Sequence, residues 1–142
     1  MGGQAAAALY WTLKQFGKDG IRKILDHNLE MTDYLAEIIT KGGHLRALFE
    51  HDLNTICIIP NGESDCFPES MNPLIEETCA ELEKQHGIYI STTTLPIADK
   101  DGARHRRDVF RVVPTHPHTD KNDIEYIAES LIETWKSKLN RS

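Results

Sequence analysis

Arg111 lies inside the run Val109, Phe110, Arg111, Val112, Val113, Pro114, otherwise the most strand-like stretch of the chain. A guanidinium there needs a reason, because burying one is costly unless an anion meets it. Two arrangements satisfy that requirement. Either the strand lies at a sheet edge and the long side chain reaches water, or Arg111 is kept to hold a carboxylate. The remaining chemistry-bearing groups form weaker patterns. His116-Pro117-His118 sets two imidazoles close in sequence, but a metal needs three or four supported ligands. Pro117 is expected to extend His116 and turn the two rings apart. His44, His51 and His105 are scattered. Cys57 and Cys79 fall on apolar faces and read as small hydrophobes, while Cys66 falls in a loop. Asp120, Asp123 and Glu125 read as first-turn carboxylates placed favourably against a helix dipole. The chain has neither a G-x-S-x-G elbow nor a glycine-rich phosphate loop.

At 142 residues, with 39% hydrophobic and 27% charged residues, the chain has the size and composition of one soluble globular domain. A net charge of -6 argues against nucleic acid as the main partner. The basic cluster Arg104-His105-Arg106-Arg107 is short and follows Asp99-Lys100-Asp101-Gly102, so it is expected to be a solvated hairpin tip. No apolar stretch is long enough to cross a bilayer, and no basic region precedes the first apolar run as in a secretory leader. Three cysteines without CxxC spacing suit free thiols in a reducing cytoplasm.

The elements that must position these residues follow from periodicity. Residues 4–16 are rich in alanine, with Leu9, Tyr10, Trp11, Leu13 and Phe16 set nearly all the way round a helix. A helix of this kind requires burial on most faces, and a chain this short has little core to spare. A partner surface is therefore expected, from outside the chain or from a second copy. A second helix over 18–40 carries the stripe Ile21, Ile24, Leu25, Asn28, Met31, Leu35, Ile38 and Ile39. Strands are expected around Leu45, Ala47 and Phe49 and over 55–59. A helix follows, capped by Asn72 with Pro73 in its first turn. Two more strands, 88–97 and 108–113, precede a last helix started by Thr119 or Asp120. Its stripe is Ile124, Ile127, Ala128, Leu131, Ile132, Trp135 and Leu139, with Trp135 and Tyr126 read as packing residues. The order predicts an α+β fold, an antiparallel sheet of about four strands packed with helices and preceded by two N-terminal helices.

Several strings in this order resemble the C-terminal part of the group II pyridoxal-phosphate-dependent amino-acid decarboxylases, the glutamate decarboxylase branch in particular. They are the opening Gly2-Gly3-Gln4 to Gly20, then Leu29 to Leu35, and then Leu53 to Pro60. The most specific is Val109-Phe110-Arg111-Val112-Val113 with its proline loop and the helix start Thr119-Asp120-Lys121-Asn122-Asp123-Ile124. The resemblance covers essentially the whole chain and implies the small C-terminal domain of a fold type I enzyme. Residues 1–43 would be the end of the large domain and a connecting helix, and 44–142 the small domain. It implies a carboxy-lyase using pyridoxal 5'-phosphate on an amino-acid substrate in a homodimer. It also implies that Arg111 binds the substrate carboxylate. No lysine follows a histidine, as the family's Schiff-base lysine does, so the cofactor anchor and the large domain are expected outside this chain. The alternative is a non-catalytic α+β ligand-binding or dimerisation module.

Overall fold

The computed structural model describes residues 2–61, 69–98 and 101–141. Helix α1 (Gly2–Lys41) opens with the alanine-rich run and is interrupted at Gly17. That residue has φ 64° and ψ -179°, a region essentially reserved for glycine. The two expected helices are both present, joined through this single residue rather than through a loop. Beyond it, Asn28, Met31, Leu35 and Ile39 are buried, although Leu25 of the same stripe is exposed. Before it, Leu9, Tyr10, Trp11, Leu13 and Phe16 remain between 46% and 69% exposed. The burial expected for this segment is not found within the chain, because the core forms against the second half of α1.

Strands β1 (Leu45–Ala47) and β2 (Ile56–Pro60) follow, and a 3-10 turn at Glu69–Met71 leads into helix α2 (Asn72–His86). Then come β3 (Ser91–Ala98), β4 (Arg104–Val112) and helix α3 (Lys121–Arg141). The fold is α+β, as expected, with one antiparallel sheet in the order β1-β2-β4-β3. Ile56 and Ile58 lie opposite Val112 and Phe110, and Phe110 packs edge-on against Trp135 of α3. These side chains, with Leu35, Ile39, Ile75, Leu82, Ile124 and Leu131, form the buried core.

Three local expectations are corrected. Residues 104–107 are not a hairpin tip, although Arg104 and Arg106 are exposed. They belong to β4, whose pairing with β3 runs from Ser91↔Arg111 to Ala98↔Arg104. Arg107, on the same face as Arg111, is buried beside Glu69. Asn72 does not cap α2, whose N-cap is Met71 with no side-chain hydrogen bond. Its amide instead serves β4, donating to the Arg106 carbonyl and accepting from the Asp108 N–H. Those backbone groups lie beyond the end of the β2 ladder, which stops at Ile58↔Phe110. Tyr126, expected to pack, is 52% exposed and meets the His86 ring. The start of α3 agrees with expectation. The Asp120 carboxylate accepts from the Asp123 N–H and the Asp123 carboxylate accepts from the Asp120 N–H, a reciprocal cap.

Candidate functional site

β4 is an interior strand, flanked by β2 on one side and β3 on the other. The edge-strand reading of Arg111 is therefore wrong. Arg111 nevertheless reaches solvent. Phe110 turns toward α3, and alternation sends Arg111 to the opposite face of the sheet. A guanidinium in the middle of a sheet is tolerated here because that part of the face is open.

The register fixes its two cross-strand neighbours. Cys57 of β2 and Ser91 of β3 stand directly opposite Arg111. The Arg111 Nε–H donates to Ser91 Oγ over 3.1 Å, and the Ser91 hydroxyl donates to the Arg111 carbonyl over 3.2 Å. Cys57 is nearly buried. Burial pushes its thiol pKa up, and the positive charge of Arg111 works against that rise. At the end of β3 and β4, a cleft of about 210 Å³ is lined by Tyr89, Val113, Pro114, Thr115 and His116 among others. Tyr89 is among the most exposed large side chains of the chain.

The histidines are not gathered here. His116 and His118 do not point apart, as Pro117 was expected to make them. Their rings sit 5.5 Å apart, and the His118 N–H donates to His116 Nδ1 within a tight turn. His51 bonds Asp33, and His105 faces Glu69. Among the described residues, no three His, Cys, Asp or Glu side chains cluster in a way that could hold a metal. Cys79 is partly buried and its pKa is pushed up to about 11 by burial, as suits a packing residue. Cys66 lies outside the described residues. The lysines at 14, 18, 23, 41, 84, 121 and 136 are exposed. Lys138 is held between Glu81 and Glu77, and its pKa is raised chiefly by the hydrogen bond to Glu81. Lys100 lies outside the described residues.

No family model and no curated relative matches the chain. Solved structures do. An Oryza sativa TDC with PLP and tryptamine superposes with a TM-score of 0.72 at 13% identity, over 91% of this chain and 26% of the other. Mouse CSAD gives 0.70 at 21% identity, over 89% and 26%. The glutamate decarboxylase domain of a diaminobutyrate-pyruvate transaminase and L-2,4-diaminobutyrate decarboxylase from Vibrio parahaemolyticus gives 0.67 at 16%, over 91% and 25%. The chain shares its fold with part of each of these proteins. It spans about a quarter of their length. The fold expected from the strings around Arg111 is thus the fold found, although few residues coincide.

Sequence reasoning singled out Arg111 but not Ser91, whose hydroxyl oxygen accepts its Nε–H. The only available signal was a short polar run, Ser91-Thr92-Thr93-Thr94, of the kind expected on any half-exposed strand. Its pairing depends on the length of the β3–β4 connection, which sequence pattern does not fix.

Proposed function

We propose that this chain is the C-terminal portion of a pyridoxal-phosphate-dependent amino-acid decarboxylase. In this reading it lends Arg111 to the substrate carboxylate, while the Schiff-base lysine and the large domain lie outside it. The observation that carries the reading is Arg111 itself, an exposed guanidinium on an interior strand, in a fold shared with part of several decarboxylases. The bare helix over 4–16 fits the same picture. Five large apolar side chains there are left to be covered by a large domain or a partner copy in a homodimer. The division at about residue 43 and a cytoplasmic location belong to this reading.

The residues described here offer the cofactor no buried lysine, so the chain is a poor fit as its anchor. Pyridoxal phosphate supplies the electron sink for loss of carbon dioxide. The part of this chain is to fix the substrate: a two-pronged guanidinium grip holds one carboxylate and leaves the rest of the molecule oriented.

Two measurements test this. The isolated chain mixed with one equivalent of pyridoxal phosphate and then reduced with borohydride should carry label spread thinly over its exposed lysines, and one equivalent placed on a single lysine would show that the anchor is present. In the complete enzyme, Arg111→Lys should cut kcat/KM about 10- to 100-fold, as expected when a bidentate charged contact becomes a single one. Unchanged turnover per folded molecule would reduce Arg111 to a structural residue.

A further inference from the structure

We infer that Ser91 is a positioning residue for Arg111, and that it selects which edge of the guanidinium is offered to a carboxylate. The inference rests on the reading of Arg111 as a carboxylate grip and adds how the grip is aimed. A guanidinium can take a carboxylate side-on, through Nε and one Nη, or end-on, through both Nη groups. Ser91 Oγ already accepts the Nε–H. Its own proton goes to the Arg111 backbone carbonyl, so the lone pairs of the hydroxyl oxygen are left facing Nε. The hydroxyl is thus oriented by one end of the residue to hold the other. The two residues are direct cross-strand neighbours, so the latch is built into the β3–β4 register rather than depending on a mobile loop. With Nε taken, the end-on edge is the one presented. A latched side chain also gives up less rotamer freedom when an anion binds.

The structure points to the substitutions that isolate the hydroxyl. Ser91→Thr and Ser91→Val have nearly the same shape and both favour strands, but only threonine keeps the oxygen. The 142-residue chain, isotope-labelled, is titrated with sodium glutamate and followed by NMR through two readouts: the backbone amides of Phe110 to Val112, which every variant keeps, report affinity, and the Arg111 Nε–H reports the latch. In the wild type and Ser91→Thr, the Nε–H is expected to be slow to exchange with water and little shifted by glutamate. In Ser91→Val it should exchange faster and shift on titration, with apparent affinity about five-fold weaker, the size of one exposed hydrogen bond. The Trp135 indole signal serves as the folding control and should not move. Identical Nε–H behaviour and affinity in the threonine and valine variants would overturn the role of Ser91. Arg111→Lys separates the two readings. If it abolishes the glutamate response while Ser91→Val does not alter it, only the positioning role falls. If it leaves the response intact, the carboxylate grip falls as well.

Discussion

The rings of Phe110 and Trp135 meet edge to face, with centroids 5.9 Å apart and planes at 84°. This contact joins the interior strand of the sheet to α3, one residue away from the exposed Arg111. Both rings are essentially fully buried. Because a β-strand alternates, fixing Phe110 against α3 fixes Arg111 on the opposite face of the sheet. Trp135→Ala should therefore lower stability by about 3–5 kcal/mol, through lost burial and an unfilled cavity. Urea denaturation measures this, and a loss under ~1 kcal/mol would mean that the contact does not hold β4 in place.

Arg107 presents a different balance. It is nearly buried, its Nη1 lies 3.0 Å from Glu69 Oε1, and neither Nε nor Nη1 makes an aligned hydrogen bond among the described residues. Removing the partner should cost more than removing the charge. Glu69→Ala is expected to destabilise by about 1–3 kcal/mol, whereas Arg107→Met, which keeps most of the volume, should be within about 1 kcal/mol of the wild type. The reverse order in denaturant melts would show that the guanidinium has other support.

Cys79 gives a pH signature. Its folded-state pKa is raised from 9.0 to about 11, by burial first and by the Glu76 charge second. Above pH 9 the unfolded thiol loses its proton while the folded one keeps it. The folded state then binds more protons, and stability falls as pH climbs from about 9 toward 11. Cys79→Ala should flatten that part of the stability curve, and alkylation of the native thiol should stay slow at neutral pH. An alkylation rate at neutral pH matching that of a free thiol would contradict the burial.

Much of this architecture was legible because its signals are local. The stripe through Ile124, Ala128, Leu131 and Trp135, the carboxylate cap at Asp120 and the apolar run of β2 each follow from spacing within a few residues. What was hidden depended on pairing. Asn72 has the right type for a helix cap, yet two unmatched backbone groups of β4 claim its amide. Arg104 to Arg107 look like a loop because charge is usually solvated, but the ladder with β3 extends through them. Arg111 stood out in the sequence, and its place on an interior strand did not, since strand order is set by non-local contacts.

The torsion at Gly17 divides the molecule into regions of unequal resilience. No residue from 4 to 19 is buried, whereas the core begins to draw on α1 from Asn28 onward. The leading turns can fray while the sheet stays intact, so their amide protons should be lost to deuterated solvent long before those of β2 and β4. A protease acting on the free polypeptide would then trim its front end and leave a resistant remnant.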